Sequence, residues 1–460
     1  MSAHQFHGTV LREYDIRGIV GDTLSAKDAE AVGKALGTVI VRGGGTRVAV
    51  GRDGRISSPE LAQAVADGLA STGLDVIKVG VGPTPMLYFT VFDLDFDGGV
   101  MVTGSHNPPD YNGFKMMLGK KPCFGEQIQG LGKIAAAGDY VTGAGSQRDH
   151  SMFDRYIERL LQDFDGAELN VAWDPGNGAA GAATEALVAK LPGKHIVINA
   201  EIDGTFPNHH PDPTVEKNLA QIKEVVAREN LDLGIAFDGD GDRIGAIDGQ
   251  GRVIWGDQMI DILASDILAD LPGSTIIADV KASKALFDSV AQKGGKPLMW
   301  KTGHSLIKNK MAEEGAPLAG EMSGHIFFAH KFYGYDDALY VAIRLLNAIQ
   351  RQGKSLAALK DAMPNVVNTP ELRFPCDETR KFAVVDEVVA RLKSNGADIN
   401  DIDGARVTTP EGWWLLRASN TQDVLVARCE AESEEGLETL LGYVKEQLAK
   451  SGLAPALIDG

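Results

Sequence analysis

The chain has 460 residues, of which 44% are hydrophobic and 23% charged, and its formal net charge is −18. A chain of this length exceeds what one hydrophobic core usually organises, so three or four domains are expected. The negative charge argues against non-specific binding to nucleic acid or to anionic membranes, because both require a basic surface.

The cysteines and the N-terminal residues indicate the cellular compartment in which the protein is expected. Cys123, Cys376 and Cys429 are odd in number and far apart. This spacing fits neither a disulfide framework nor a zinc site and indicates a reducing environment. The first residues lack the basic and apolar regions of a secretory signal, and no apolar stretch is long enough to span a bilayer. We therefore expect a cytoplasmic protein without a nucleic-acid or membrane partner.

Three consecutive segments share one pattern of amphipathic helix, apolar strand, polar turn, second helix and second strand. In the first segment a helix over 28–40 precedes a strand at 46–51, a helix opened by Ser58-Pro-Glu and a strand at 75–79. Proline in the first turn is typical of a helix start. Strands that alternate with helices predict crossover units on mixed or mainly parallel sheets.

A loop with one serine follows the next predicted strand, at 98–102. The loop reads Thr103-Gly-Ser-His-Asn-Pro-Pro-Asp-Tyr-Asn-Gly-Phe-Lys115. Strand ends are where α/β folds place chemistry. Ser105 lacks the flanking glycines of a nucleophile elbow, and Asn107-Pro108-Pro109 prevents an immediate helix, which disfavours a hydrolase triad. The pattern favours Ser105 as a phosphate carrier, with a capped turn as the purely structural alternative.

The second segment starts near Met152, has strands at 169–173, 195–198 and 233–237, and then reaches Asp238-Gly-Asp-Gly-Asp-Arg243. Three carboxylates at alternate positions, with glycines that let the backbone curl, can converge on one hard cation such as Mg²⁺. Without a cation they would repel one another. The adjacent His209 and His210 lie in a proline-rich loop and are interpreted as structural.

Other readings of the acidic motif are possible. A calcium EF-hand is excluded because its sixth and twelfth positions, normally Gly and Glu, are Arg243 and Gly249 here. A phosphatase in which Asp238 is the nucleophile and Asp240 the acid stays open, although Asp242 stands where that motif has Thr or Val. An acidic solvated hairpin is the structural alternative.

The third segment starts near Asp257 and has strands at 274–278 and 297–300, with a helix from Ser283 between them. Its motif is Gly320-Glu-Met-Ser-Gly-His325. Glu321 and Ser323 stand at alternate positions, so both can face the vicinal hydroxyls of a sugar. The motif is weak by itself, because surface glutamates and loop histidines are common.

After about residue 365 the pattern changes to that of an α+β domain. A strand at 371–374 and a helix over 377–393 precede strands at 405–408, 413–416 and 423–428 and a final helix. Arg417-Ala-Ser-Asn-Thr-Gln422 lies between the last two strands. Arginine offers a planar fork for phosphate, and Ser419, Asn420 and Thr421 add neutral donors. A phosphate clamp is predicted, with a plain hairpin turn as the alternative.

These elements predict three similar α/β domains with mixed sheets, followed by an α+β domain. The predicted boundaries are 1–150 with the serine loop, 151–253 with the acidic loop, 254–365 with the sugar-binding loop and 366–460 with the phosphate-binding loop. Several further polar residues complete the candidate set. They lie near the start of the chain, at the end of the serine loop or at strand-to-loop transitions of the third segment: Tyr14, Arg17, Lys115, Lys281 and His304.

The four motifs, in this order and over nearly the whole chain, resemble those of the α-D-phosphohexomutase family. The resemblance implies that each domain brings one motif to a central cleft and that Ser105 carries a phosphoryl group. It also implies that Asp238, Asp240 and Asp242 bind Mg²⁺ together with the phosphoserine. The implied activity is reversible phosphoryl transfer between C1 and C6 of mannose and glucose phosphates, through a hexose 1,6-bisphosphate that also serves as activator.

By the same resemblance, residues are assigned to catalysis or to substrate. The catalytic group comprises Ser105, His106, Lys115, Arg243, His304 and His325, and Lys115, His304 and His325 stay open as the general base. The substrate group comprises Tyr14, Arg17, Lys281, His304, Glu321, Ser323, His325, Arg417, Ser419, Asn420 and Thr421. We expect a monomer.

Three alternatives to this function stay open. Glucosamine phosphate is the second candidate substrate, although Met322 resembles the mannose and glucose branch more than the glucosamine branch, where Gln is usual. A metal-dependent phosphatase that uses Asp238 and a non-catalytic sugar-phosphate-binding protein belong to other classes. The intact serine, aspartates and Arg417 disfavour the binding-only reading.

Overall fold

The computed structural model of the protein describes residues 2–420 and 422–454. The strands in these ranges form four sheets, each from one continuous part of the chain. Within the same ranges, no helix is both long enough and apolar enough to cross a membrane.

The first part of the chain forms a mixed sheet. Its strands are β1 (Ile16–Ile19), β2 (Arg47–Arg52), β3 (Asp75–Val81), β4 (Gly98–Val102), β5 (Tyr111–Leu118), β6 (Lys121–Pro122) and β7 (Gln147–Asp149), and its helices are α1 (Ala26–Arg42), α2 (Ser58–Ala70), α3 (Thr84–Asp93) and α4 (Glu126–Ala137). The order is β1-β5-β4-β2-β3-β7, with β6 paired to β5. β2 runs parallel to β3 and β4, whereas β5 is antiparallel to β4.

The second sheet is smaller and also mixed. Its elements are α5 (Phe153–Leu161), β8 (Val171–Asp174), α6 (Gly181–Val188), β9 (His195–Val197), a 3₁₀ turn (Glu216–Leu219), α7 (Ala220–Glu229), β10 (Leu233–Phe237), β11 (Ile244–Asp248) and β12 (Val253–Ile254). The strand order is β12-β11-β10-β8-β9.

The third sheet has four strands in the order β14-β13-β15-β16. The elements of this part are α8 (Gly256–Asp270), β13 (Thr275–Asp279), α9 (Lys284–Gln292), β14 (Lys296–Trp300), α10 (His304–Glu314), β15 (Leu318–Gly320), β16 (Ile326–Phe328), α11 (Ala338–Gln352) and α12 (Leu356–Asp361).

The last part forms an antiparallel sheet with two helices. Its elements are β17 (Val367–Asn368), β18 (Leu372–Pro375), α13 (Lys381–Ser394), β19 (Asp398–Asn400), β20 (Ala405–Thr409), β21 (Gly412–Ala418), β22 (Val424–Ala431) and α14 (Glu434–Lys450). The order is β17-β22-β21-β20-β19, with β18 also paired to β22. The predicted fold class, three similar α/β parts followed by an α+β part, is confirmed.

The first three sheets contain the same four-strand arrangement, namely β3-β2-β4-β5, β9-β8-β10-β11 and β14-β13-β15-β16. In each, three parallel strands are followed by one antiparallel strand at the edge of the parallel set. The loop that joins the third parallel strand to the antiparallel one is the serine loop in the first sheet, the acidic loop in the second and the Glu321 loop in the third. The three motifs therefore occupy equivalent positions.

The fourth part of the chain has an apolar core separate from that of the first three parts. One continuous cluster of buried side chains includes Leu87 of the first part, Phe237 of the second and Leu345 of the third. The fourth part has its own core around Trp414. It meets the third part through a small cluster that includes Val280 and Trp413. The first three parts are thus packed as one body, and the fourth is attached by a smaller apolar contact.

Several elements differ from the sequence prediction. Lys115 lies within β5, although the serine loop was predicted to extend to it. This strand pairs on both sides and is buried from Asn112 to Met117, so it lacks the alternation that identifies a half-exposed strand. Helix α11, which was not predicted, is buried from Ala338 to Ile349, and its polar residues Arg344 and Asn347 are buried with the rest. The boundaries at 150, 253 and 365 stay predictions, because the limits of a sheet do not set those of a domain.

Candidate active site

The serine and acidic loops meet directly. The Ser105 hydroxyl donates to Oδ2 of Asp238 over 2.9 Å. Gly239 lets the loops approach this closely, because a Cβ at that position would lie 2.3 Å from the Ser105 carbonyl oxygen. Gly241 adopts a φ of +73°, which favours glycine. The two glycines of the acidic motif are therefore explained by a close approach and by a left-handed turn.

Ser105 is held in an unusual backbone conformation. Its φ is 50°, in the left-handed region, and only 2% of the residue is exposed. Its backbone N–H donates to the Thr103 hydroxyl over 2.8 Å, and its own hydroxyl lies 3.2 Å from Nδ1 of His106. Burial, followed by the charges of Arg243 and Arg17, lowers the pKa of His106 well below its ordinary value. His106 therefore contacts Ser105 as a neutral imidazole.

Three buried carboxylates converge beneath Ser105. One oxygen from each of Asp238, Asp240 and Asp242 lies within 4.8 Å of the other two, and all three residues are at most 1% exposed. Asp238 Oδ1 accepts the backbone N–H groups of Asp242 and Arg243 over 3.1 Å each. Burial and the two neighbouring carboxylates raise the pKa of Asp238 well above its ordinary range. Such a cluster needs a positive charge to be stable.

Lys115 supplies that charge in the structure. Its Nζ lies 2.7 Å from Oδ2 of Asp240 and also contacts Asp242. Burial works against the ammonium ion, but Asp240 and Asp242 outweigh it and raise the pKa of Lys115. Thr84, from the first part of the chain, donates its hydroxyl to Asp240 as well. Sequence reasoning missed Thr84, which looks like the first residue of a helix.

The donor set fits a hard divalent cation. Oδ1 of Asp240 and Oδ1 of Asp242 are buried without a hydrogen-bond partner among the described residues. With the nearby Asp238 and the Ser105 hydroxyl, they offer only oxygen atoms, which Mg²⁺ prefers. A second group, Asp242 with His325 and Asp336, is also close enough to hold a metal. The hydrogen bonds of His325 argue against that second site.

His325 is clamped between an arginine and a carboxylate. Arg243 Nε lies 2.9 Å from Nε2 of His325, and His325 Nδ1 lies 2.9 Å from Oδ2 of Asp336. Because a guanidinium can only donate, Nε2 must be the acceptor, and Nδ1 then carries the proton toward Asp336. A protonated Nδ1 cannot bind a metal. The role of Asp336 was not predicted from the sequence, because two aspartates before a helix are typical of a helix cap. In the structure only the second of them, Asp337, is the N-cap of α11.

His304 packs against this group from the start of α10. Its ring stacks on that of His325 at 5.4 Å and meets the ring of Tyr14 edge-on at 5.9 Å. Burial, followed by the charge of Lys308, lowers the pKa of His304 well below its ordinary value. The two candidate histidines therefore lie together, next to the acidic loop.

The Glu321 loop is anchored to the third sheet. Oε1 of Glu321 accepts the backbone N–H of Gly303 over 2.6 Å, and the residue is 2% exposed. Ser323 is half-buried in the turn that follows. Asp279 accepts the N–H of Met322 over 3.1 Å, and burial raises the pKa of Asp279 to about 6. The loop therefore presents a fixed carboxylate beside a half-buried hydroxyl.

Two basic residues are paired with carboxylates of the last part of the chain. Lys281 donates to Oε2 of Glu371 over 3.2 Å, and Arg417 Nε donates to Oδ2 of Asp403 over 3.0 Å. Lys281 is the main cause that lowers the pKa of Glu371 to about 2, and Arg417 contributes. These two cations are therefore near each other. Asp403 and Glu371 were missed, because a lone carboxylate carries no motif.

Tyr14 connects three parts of the chain. Its hydroxyl donates to the Thr302 carbonyl over 2.9 Å and accepts from the Asn420 side chain over 2.6 Å. Arg17, three residues after Tyr14 in β1, contacts the side chains of Asn107 and Asp15.

The predicted phosphate clamp lies at the turn after β21. Ser419 accepts the backbone N–H of Gln422 there over 3.1 Å. Thr421 lies outside the described residues. The clamp and the first part of the chain are thus in contact.

Known protein families match this chain over four segments, each of which contains one of these loops. Family models described as phosphoglucomutase/phosphomannomutase match residues 8–140 (alpha/beta/alpha domain I), 154–251 (domain II), 255–366 (domain III) and 371–447 (C-terminal domain). A phosphomannomutase/phosphoglucomutase of Pseudomonas aeruginosa is 44% identical over 441 residues, which cover 96% of this chain and 95% of the relative. A phosphoglucomutase of Neisseria meningitidis is 40% identical over 95% of this chain and 96% of the relative.

A solved structure agrees with the sequence matches. The crystal structure of a phosphoglucomutase/phosphomannomutase family protein from Burkholderia thailandensis superposes with a TM-score of 0.93 at 42% identity. The match covers 98% of this chain and 100% of that one. Similarity therefore extends through all four sheets and the loops between them.

Proposed function

The chain belongs to the phosphoglucomutase/phosphomannomutase family, and we propose that it interconverts the 1-phosphates and 6-phosphates of glucose and mannose. The observation that carries the proposal is the contact between the Ser105 hydroxyl and Asp238, 2.9 Å apart over a buried carboxylate cluster. The Ser105 hydroxyl donates to a carboxylate of the predicted metal site, which fits a phosphate carrier better than the nucleophile of a hydrolase triad.

Ser105 acts as the phosphate carrier in this proposal. In the first transfer the bond from phosphorus to Ser105 Oγ breaks and a bond to a sugar hydroxyl oxygen forms, while a base takes the sugar hydroxyl proton and Ser105 Oγ gains a proton. The product is a hexose 1,6-bisphosphate. After it turns over in the cleft, its other phosphoryl group passes back to Ser105 Oγ, which gives up its proton, and the leaving sugar oxygen gains one. The atoms and charges of the enzyme are restored after each cycle.

The cation-binding residues would be Asp238, Asp240, Asp242 and the phosphorylated Ser105. Mg²⁺ held there would neutralise negative charge on the transferring group. Lys115 contacts the same carboxylates, and the charge of Arg243 acts on Asp238 and Asp242, so both provide positive charge on the protein side. Charge placed in advance, in a site closed to water, stabilises a transition state more than charge in water does.

His325 is the proposed general base. The hydrogen bond from Arg243 and the charge of Asp336 beside Nδ1 leave the Nε2 lone pair as its accepting site. Lys115 contacts Asp240 and Asp242, the carboxylates that would bind the cation, and is proposed to balance their charge. Arg243 must release Nε2 when substrate binds, and its guanidinium would then be free to contact phosphate. His304 supports the His325 ring by stacking.

Recognition is divided between two loops. Glu321 and Ser323 would bind vicinal hydroxyls, while Arg417, Ser419, Asn420 and Thr421 would hold the phosphate that is not reacting. Lys281 lies near Arg417 and would share that phosphate. Both ends of the bisphosphate must fit the same clamp in alternate half-reactions, so the clamp has to recognise phosphate rather than one face of the sugar.

The remaining proposals concern the activator, the oligomeric state and the cellular location of the enzyme. We propose that hexose 1,6-bisphosphate activates the enzyme by restoring a lost phosphoryl group to Ser105. A monomer is sufficient, since one chain contributes all four loops. We also propose a cytoplasmic location, because hexose phosphates and free thiols both belong to that compartment.

The test of this function is a substrate panel. The protein is incubated with Mg²⁺, catalytic glucose 1,6-bisphosphate and either glucose, mannose or glucosamine 1-phosphate, and 6-phosphate and inorganic phosphate are both measured. Glucose and mannose 6-phosphate should form faster than inorganic phosphate. Faster release of inorganic phosphate would indicate a phosphatase, turnover of glucosamine phosphate alone would reassign the substrate, and no turnover at all would favour a binding protein.

A further inference from the structure

One buried arginine binds the carbonyl groups of the serine loop. Arg55 Nη1 donates to the carbonyls of Pro108, over 2.5 Å, and Tyr111, over 3.0 Å. Its Nη2 donates to those of Ser105, over 2.7 Å, and Asn107, over 2.6 Å. Nε donates to a carboxylate oxygen of Asp53. All five donors of the guanidinium are therefore used, and four of them organise the loop.

Asp53 completes this arrangement from the other side of the loop. Its Oδ2 accepts the backbone N–H of Gly104 over 3.1 Å and lies 3.2 Å from Arg55 Nε. Its Oδ1 accepts the backbone N–H of Arg55 over 3.0 Å and the Ser58 hydroxyl. Asp53 thus orients the arginine and holds the residue that precedes Ser105. The Asp53–Arg55 pair is 2% exposed or less.

The surroundings leave room for this guanidinium and little else. A Cβ on Gly104 would lie 2.5 Å from Arg55 Cζ, and a Cβ on Gly204 would lie 2.5 Å from Arg55 Cα. The guanidinium also lies over the ring of Phe206, 5.1 Å from its centroid. Glycines on both sides therefore permit the arginine to approach the loop backbone, and the position of the loop depends on the planar fork between them.

Ser105 itself is held at both of its peptide groups. Its carbonyl binds Arg55, and its N–H binds the Thr103 hydroxyl. Residues outside glycine that adopt a positive φ persist only where surrounding contacts enforce the conformation. The loop between β4 and β5 has no regular secondary structure to provide such contacts. Arg55 provides them in place of a backbone ladder.

We propose that Arg55, oriented by Asp53, is a positioning residue for phosphoryl transfer. It fixes the serine loop so that the Ser105 hydroxyl keeps its place over Asp238 in both half-reactions. The inference rests on the proposed role of Ser105 as phosphate carrier, and it extends that role to residues outside the four motifs. The carrier must return to one position twice in each cycle, so a displaced loop slows both transfers, while the separate sugar and phosphate loops still bind substrate.

Two variants test the proposal with different changes. Arg55→Lys keeps a positive charge but loses the planar fork, and Gly104→Ala keeps the arginine but places a methyl group against its Cζ. Arg52→Lys is the matched control, because Arg52 stands on the same chain segment, is half-buried and donates to the Asp53 carbonyl without reaching the loop. Each variant is assayed with glucose 1-phosphate, glucose 1,6-bisphosphate and Mg²⁺, and its melting temperature is measured.

The expected result is a separation of kcat from KM. For Arg55→Lys and Gly104→Ala, kcat should fall by about 10²-fold, as expected for misplacement of a reacting group by about 1 Å, whereas KM should change by less than about threefold. The single-turnover rate at which glucose 1,6-bisphosphate phosphorylates Ser105, followed by intact mass, should fall by the same factor as kcat. Arg52→Lys should match the unmodified protein in all three measurements.

Other results would overturn the proposal. If both variants fold and retain normal kcat while Ser105→Ala is inactive, Arg55 does not position the carrier, although the carrier itself stands. If Ser105→Ala is fully active, the proposed function fails independently of Arg55. If neither variant folds, Arg55 serves general stability and the positioning role is refuted. A rise in KM without loss of kcat would place Arg55 in substrate binding instead.

Discussion

The Ser105 hydroxyl and the Asp238 carboxylate lie 2.9 Å apart, although 133 residues separate them in the chain. They occupy equivalent loops of two sheets that share one strand order. Packing two such sheets around a common apolar core brings the loops face to face. The contact between Ser105 and Asp238 is therefore a consequence of repeated topology, and the third loop meets the acidic loop through the contact between His325 and Arg243.

Replacement of Ser105 by Ala should abolish mutase turnover. The variant loses the oxygen that accepts the phosphoryl group, so we expect at least about a 10³-fold fall in kcat, as for removal of other catalytic nucleophiles. Incubation with glucose 1,6-bisphosphate should add one phosphoryl group to the unmodified protein and none to the variant, by intact mass. Ser151→Ala, at an exposed serine next to α5, is the control and should be fully active.

Removal of the divalent cation should stop turnover and lower thermal stability. A ligand that binds only the folded protein stabilises it by an amount that grows with the logarithm of the ligand concentration above its dissociation constant. We therefore expect Mg²⁺ to raise the melting temperature of the unmodified protein, and a chelator to abolish activity reversibly. Asp242→Asn should lose most of the Mg²⁺-dependent rise, because one of its two oxygens becomes an amide. Equal rises for the two proteins would remove Asp242 from the metal site.

Replacement of Asp336 by Asn should lower kcat through His325. The Asp336 carboxylate lies 2.9 Å from Nδ1 of His325, so its charge favours the proton on Nδ1 and the lone pair on Nε2. An amide can donate to Nδ1 instead and allow the opposite tautomer. Because a general base contributes about 10²–10⁴-fold, we expect about a 10²-fold loss of kcat with little change in KM.

A comparison with His325→Ala tests this coupling. The double variant Asp336→Asn with His325→Ala should be no slower than His325→Ala alone, since Asp336 acts through the histidine. Independent, multiplied losses would contradict the proposed link. His304→Ala should have a smaller effect than either, because its contact with His325 is ring stacking.

Replacement of Tyr14 by Phe should release the bisphosphate intermediate more often. The lost hydroxyl bridges Thr302 and Asn420, which belong to the third and fourth parts of the chain. Each such hydrogen bond is worth about 1 kcal/mol and two are lost, so the fraction of turnovers that release glucose 1,6-bisphosphate should rise about five- to thirtyfold. Labelled glucose 1-phosphate with an unlabelled bisphosphate pool measures this fraction. An unchanged fraction would show that the cleft closes without Tyr14.

The sequence predicts much of this site because each motif combines unusual residues within a few positions. The strand that ends at Val102 and the strand over 233–237 are found where the apolar runs place them. The carboxylates at alternate positions do converge, because the intervening glycines permit the turn that sequence reasoning assumed. Local patterns of this kind carry their own geometry.

The residues that the sequence does not reveal carry no motif of their own. Arg55, Asp336 and Asp403 each belong to a short stretch that looks like an ordinary turn or helix start, and their partners Ser105, His325 and Arg417 lie in other elements or loops. Lys115 was found, but its place in β5 was not, since a strand paired on both sides is buried without alternation. Such assignments require knowledge of how the elements pack against one another, and the spacing of residues along the sequence does not provide it.

Replacement of Asp337 by Asn should reduce the pH dependence of stability. Burial raises the pKa of Asp337 to about 7, despite hydrogen bonds from the Tyr340 N–H and the Tyr156 hydroxyl, whereas an unfolded Asp has a pKa of about 3.9. Between these values the folded state binds more protons than the unfolded state, so this group makes the free energy of unfolding fall as the pH rises, by about 2 kcal/mol between pH 5 and pH 8. An Asn accepts the same hydrogen bonds without ionising, so urea unfolding of Asp337→Asn should lose that part of the slope. Asp398→Asn, at an exposed strand position, should keep it, and an unchanged slope in Asp337→Asn would mean that the buried carboxyl does not titrate in this range.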